Sequence, residues 1–225
     1  MATAKKSTAK KQLPDDNQII AWYMEDVLGN EGRALNVYSF CKQHDLEEAI
    51  FYSFFGSIDA IRQEIWVKFF ENAVVAIEKE PGYSAYSDKN KLLTLYFTLF
   101  EILTLNRSYV LFALQEQNEG MRSLMQLKQF RNRFKDFIVH IIKGTDNEMV
   151  AKVKKVTSPA FSEGAWIQFL LILRFWMKDN SRGFEKTDII IEKSVNTVVD
   201  LLDTKPLENL IDLGKFLWKE RKSSL

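Results

Sequence analysis

The chain is poor in the residues that build covalent or metal frameworks. One cysteine, Cys41, and two histidines, His44 and His140, stand in 225 residues, so no internal disulfide can form and no zinc-ligand spacing is present. No cofactor and no metal are expected, and a reducing cytoplasm is the expected setting. Glycine and proline are scarce too, at nine and four, well below the roughly 7% and 5% of ordinary usage. That scarcity excludes collagen-like repeats, linker-rich disorder and turn-rich sandwiches, and favours long helices. No apolar run reaches the roughly 18 residues of a membrane span. The closest, 92–105, contains Glu101 and three threonines, and residues 1–16 lack the apolar stretch of a secretory signal. Thirty-one Lys and Arg against thirty Asp and Glu leave a net +1, so bulk charge singles out neither nucleic acid nor an anionic membrane.

What is present is an apolar content of 46%, with 13% aromatic residues, ample for a helical core. Residues 1–16 carry Lys5, Lys6, Lys10 and Lys11 among small polar residues, a composition that suggests a mobile basic arm. From Asn17, a plausible N-cap, Ile20, Met24, Val27 and Leu28 recur at helical spacing. A second short helix is expected over 34–43, with Val37, Phe40 and Cys41 inward, and a third over 47–54. Ser57 is placed to cap a long helix with Ile58, Ile61, Ile65 and Phe69 on one stripe, ended by Pro81-Gly82. Further helices are expected near 88–105, 107–118, 121–142, 146–155, 160–178, 185–203 and 206–221. No segment has a convincing strand pattern.

Residues 46–61 carry the most specific pattern. Leu46, Phe51, Tyr52, Phe55, Ser57 and Ile61 align without a gap with the recognition-helix signature of TetR repressors, and Leu28, Gly32, Val37 and Phe40 resemble the elements before it. The chain is therefore identified as resembling the TetR family over about its first 80 residues. The resemblance implies an all-α fold: a basic arm at 1–16, a three-helix helix-turn-helix domain at 17–56, and a larger ligand-binding and dimerisation bundle at 57–225. It implies a homodimer joined through 160–178 and 185–203, and double-stranded DNA as partner. Tyr52 would approach a phosphate, with Glu47, Glu48, Ala49, Ser53 and Phe54 near bases or backbone.

Charge departs from that pattern. Residues 17–60 hold two basic residues, Arg33 and Lys42, against seven acidic ones, a net of −5, whereas DNA affinity comes largely from neutralised phosphates. Where the family commonly has a lysine after the serine, this chain has Ile58. Arg33, Lys42 and the four arm lysines are the candidate phosphate contacts, and the arm also reads as a solvated tail. Glu47 and Glu48 either read cytosine amino groups or complement the helix dipole.

In the larger region, Tyr96, Phe100, Trp166 and Phe169 are candidates to line a pocket for a small apolar ligand, with Glu101, Arg107 and Arg174 as charges that could orient its head group. Ordinary core packing explains the same stripes, and those charges can equally face solvent or pair. Residues 207–218, with Lys215, Lys219, Arg221 and Lys222 nearby, form either a basic amphipathic helix for a membrane surface or a closing helix. The basic stretch 128–135 reads as a solvated face with Phe130 and Phe134 inward. There is no Gly-rich phosphate loop, Gly-x-Ser-x-Gly elbow or His-Glu-x-x-His motif, so no enzyme is expected. The leading reading is a ligand-responsive DNA-binding regulator. The alternative is a TetR-fold protein that has stopped reading DNA and binds a lipid, another apolar ligand or a protein partner, at a membrane surface in one version.

Overall fold

A computed structural model of the chain describes residues 13–29, 36–115, 122–143 and 148–202. The described residues form helices and turns, with no strand among them. They fall into two compact units: the chain up to Trp66 together with Ser108–Gln126, and Val67–Arg107 together with the chain from Leu127 onward. The division differs from a simple cut at 56/57, because one helix crosses the first boundary and a later segment returns to the first unit.

In the first unit, α1 spans Asp16–Gly29. Asp15, not Asn17, caps it, accepting a 2.8 Å bond from the Gln18 amide, as a carboxylate does at a positive helix end. Its buried face is Ile19, Ile20, Tyr23, Asp26 and Val27; Leu28, expected inside, is exposed. Helix α2 spans Val37–Gln43 and opens with a capping box between Asn36 and Ser39. His44 ends it, Asp45 turns the chain with a φ of 49°, a conformation Asp tolerates, and α3 follows at Glu48–Phe54. Phe40 and Phe51 meet edge-on at 5.9 Å, and Phe51 is fully buried.

Helix α4, Ile58–Glu78, is capped by Ser57 as expected, whose hydroxyl accepts from the Ala60 amide at 3.1 Å. It runs unbroken from the first unit into the second. Pro81-Gly82 ends the segment, Gly82 taking a φ of 87° that favours glycine, and a 3-10 turn follows at Tyr83–Ala85.

In the second unit, α5 spans Asp88–Leu105 behind a Ser87 cap. Helix α6, Arg107–Gln115, belongs largely to the first unit. The single helix expected at 121–142 is two, α7 at Arg122–Met125 and α8 at Lys128–Lys143. The break falls where the Gln126 side chain donates to the Ala113 carbonyl at 2.8 Å and accepts from the Trp66 indole at 3.1 Å. Conversely, the helices expected at 146–155 and 160–178 are one, α9, Glu148–Lys178, passing through Pro159. An interior proline forfeits about 3 kcal/mol, and the turns beyond it offset that by burying Ala165, Trp166, Phe169, Ile172, Leu173 and Trp176. Helix α10, Glu185–Leu202, completes the described residues. The helix expected at 206–221 lies outside them.

Helix α8 packs on α9, α10 on α5 and α9, and α5 on α8. Their shared interior is aromatic: Phe130 lies 5.1 Å edge-on to Phe169, Phe134 5.8 Å from Trp166, and Phe100 6.2 Å from Trp176. The basic stretch 128–135 has Phe130 and Phe134 inside this cluster. Three of its four cations are paired, Arg131 and Lys135 with Glu163 and Arg133 with Glu71.

Candidate functional site

The first candidate is the outer face of α3. Phe51 and Phe55 anchor the helix on one side, and helical geometry then turns Glu47, Glu48, Ala49, Tyr52, Ser53 and Phe54 outward. All six are exposed. Tyr52 and Phe54 expose 52% and 44% of their surface, a large aromatic exposure for so short a helix. Lys42 of α2 is also exposed, 5.9 Å over the ring of Tyr38, itself 63% exposed. Tyr38 is an exposed aromatic residue of α2 that sequence reasoning missed; the signal was its position two residues before buried Phe40. The remaining candidates for DNA contact, Lys5, Lys6, Lys10, Lys11 and Arg33, lie outside the described residues.

A buried carboxylate holds the turn between α2 and α3. Asp26 Oδ1 accepts from the Gln43 amide group at 2.6 Å, and its Oδ2 lies 2.8 Å from His44 Nε2. The His44 ring stacks on Trp22 at 4.7 Å. His44 thus serves as the cap of α2 and as an anchor to α1. Burial, then the charge of Glu48, raise the Cys41 thiol above its ordinary value, which keeps it in the neutral form.

The second candidate, the interior of the larger unit, differs from expectation. Tyr96, Phe100, Trp166 and Phe169 are buried together, but as packed core. The Tyr96 hydroxyl donates to the Ala165 carbonyl at 2.9 Å, and burial drives its phenol well above the ordinary range. Glu101 and Arg174 are exposed and do not enter that interior, because each falls on the helix face opposite the aromatic stripe. Arg107 is used structurally. Its guanidinium donates to the carbonyls of Trp176 and Met177 at 3.0 and 3.2 Å, and sits 4.4 and 4.5 Å from the rings of Trp176 and Phe184. It closes the carboxyl end of α9, whose last carbonyls lack helical partners. The seven residues therefore do not gather around one cavity among the described residues.

The carboxylate of buried Asp179 joins α9 to α10, accepting from the amides and hydroxyls of Ser181 and Thr187 at 2.7 to 3.0 Å. Burial pushes its carboxyl up, but these four bonds outweigh burial and hold it at about 2.

A third surface runs along α9. Ile167, Leu171 and Phe175 are 56%, 63% and 36% exposed at four-residue spacing, with exposed Gly164 one turn earlier. On α10, Ile189 is 49% exposed. The apolar run 165–177 thus has two faces, one in the core and one uncovered.

A family model described as the tetracyclin repressor-like C-terminal domain matches residues 91–217. The match covers more than half of the chain, and the chain belongs to this family, in agreement with its all-helical architecture. No curated protein sequence matches the chain. No single described helix is long and apolar enough to cross a membrane.

Proposed function

We propose that this protein is a homodimeric, ligand-responsive transcription regulator of the cytoplasm that binds double-stranded DNA through α3. The observation that carries the reading is the uncovered outer face of α3, held rigid by buried Phe51 and presenting Glu47, Glu48, Ala49, Tyr52, Ser53 and Phe54 together. A helix so displayed has the dimensions of the major groove. The exposed stripe of Gly164, Ile167, Leu171 and Phe175, with Ile189, supplies a dimer surface, and a dimer presents two such helices to two half-sites. Helix α4 is continuous between the units, so a ligand that tilts it changes the spacing of the pair. Half-sites tolerate little such change. Selection from random duplexes, followed by gel shifts across a salt series, tests this: saturable, salt-sensitive retention of an enriched sequence is expected. No retention at low salt removes the reading. Leu171→Glu is expected to convert the dimer to a monomer in sedimentation and to weaken the shift.

The net −5 of residues 17–60, with Glu47 and Glu48 exposed on α3, favours a second reading in which the fold has given up DNA and binds a lipid, another apolar ligand or a protein partner. Liposome flotation of the full chain against a truncation before Pro206 tests its membrane version. Equal flotation of the two, or none, removes that version.

A further inference from the structure

A groove of about 550 Å³ opens in the second unit at the carboxyl end of α4, where Phe137 also packs edge-on to Phe70 at 5.8 Å. Glu78 of α4, Tyr83 of the 3-10 turn, Lys91 of α5, and Phe137, His140 and Ile141 of α8 line it. The volume lies within the range of small-molecule sites. Its walls divide by chemistry: Phe137, Ile141 and the Tyr83 ring are apolar or aromatic, and Glu78 is an exposed carboxylate with no ion-pair partner among the described residues. Glu80, also on the rim, accepts from the Tyr86 hydroxyl at 2.8 Å. Two carboxylates thus face one lysine, and these three side chains together are net negative.

The structure already contains a cation in this setting. The ammonium of Lys91 lies 6.0 Å from the centroid of the Tyr83 ring, at the outer limit of a cation–π contact. Burial, then the charge of Glu78, push the Tyr83 phenol up to about 12, which keeps the ring neutral with the carboxylate beside it.

We propose that this groove binds a small organic ammonium ion with an apolar body, the charge lying between Glu78 and the Tyr83 ring and the body against Phe137 and Ile141. Lys91 is then the resident competitor, its ammonium partly occupying the place the ligand's charge would take. An anion of the same size would meet Glu78 and Glu80 and is excluded. The inference deepens the ligand-responsive reading and rests on it for any effect on DNA, but the binding event is measurable without DNA.

Isothermal titration of the full chain with phenyltrimethylammonium tests it, with phenylacetate as the anion of similar size. Saturable binding of the cation and none of the anion are expected. Glu78→Gln should weaken the cation about 3- to 10-fold, and Lys91→Gln should tighten it by about 2- to 5-fold, the scale of one charge at this range in a partly solvated groove. Ser84→Trp, at an exposed rim position, should block binding by bulk while thermal melting stays unchanged. Absence of saturable cation binding, equal binding of phenylacetate, or affinity unaltered in Glu78→Gln and Ser84→Trp overturns the proposal. Cation binding in a protein that retains no DNA would leave the groove assigned and remove only the regulator reading.

Discussion

Charge is handled differently in the two units. In the larger unit, charged side chains brace the helices: Glu163 takes Arg131 and Lys135, Glu71 takes Arg133, Arg107 closes α9, and Asp179 ties α9 to α10. Lys135 and then Arg131, by hydrogen bonding, hold the Glu163 carboxyl below its ordinary range. The first unit braces itself with Asp26 and with the Arg62–Asp59 pair, and leaves Glu47 and Glu48 at the start of α3 without an ion-pair partner among the described residues. Charges already engaged within a fold are spent on its geometry, and those left outside a rigid helix are free to act on a partner. The contrast separates residues whose loss would unfold the protein from residues whose loss would change what it binds.

The sharpest test of that separation compares Phe134→Ala with Tyr52→Ala. Phe134 touches Phe70, Tyr96, Phe130, Trp166 and Phe169, so its truncation should cost about 3–5 kcal/mol in denaturant titration. Tyr52→Ala should stay within about 0.5 kcal/mol while altering DNA retention. Similar stability losses for the two would erase the distinction. Next in size is Arg107→Met, which leaves α9 carbonyls without their donor and should cost about 1–3 kcal/mol; Glu101→Ala and Arg174→Ala, the two exposed charges once grouped with it, should be near neutral.

Acid provides a third test. The folded Asp179 carboxyl, at about 2, lies below the roughly 3.9 of an unfolded chain. Its charged form therefore stabilises the fold above about pH 4, and this contribution fades as pH falls towards 2. Asp179→Asn should melt lower at neutral pH and lose the part of the pH 4-to-2 slope that this carboxyl supplies. The smallest stability change is expected for Glu47→Gln with Glu48→Gln, within about 0.5 kcal/mol. The pair should nonetheless tighten DNA retention, most visibly at low salt. Unchanged retention would argue that α3 does not meet a polyanion.

The features that could be read in advance were the local ones. The apolar period over 88–105 marked α5 at its observed bounds, and Ser57 and Pro81-Gly82 bracketed α4, because helical period, caps and breakers act within a few residues. The recognition-helix pattern at 46–61 marked which residues of α3 would face out. The break at Gln126 was not legible, since its cause is a bond to Trp66, 60 residues away in sequence. Nor was the continuity of α9 through Pro159, where distal packing outweighs a local penalty. Among the candidate pocket residues, Arg107 in an apolar run looked the same whether it awaited a ligand or capped a distant helix. The groove around Tyr83 had no sequence signal beyond Gly82, because α8 supplies its other wall.

Helical period, punctuation and the absence of cysteine pairs specified an all-helical chain with a short-helix head and a large aromatic body. Such signals depend on neighbours along the backbone, so any stretch carries them on its own. Which aromatic faces became core, which charges became braces, and where an opening was left required distant segments to meet. Burial and pairing are properties of two surfaces at once, and a single strip of sequence holds only one of them.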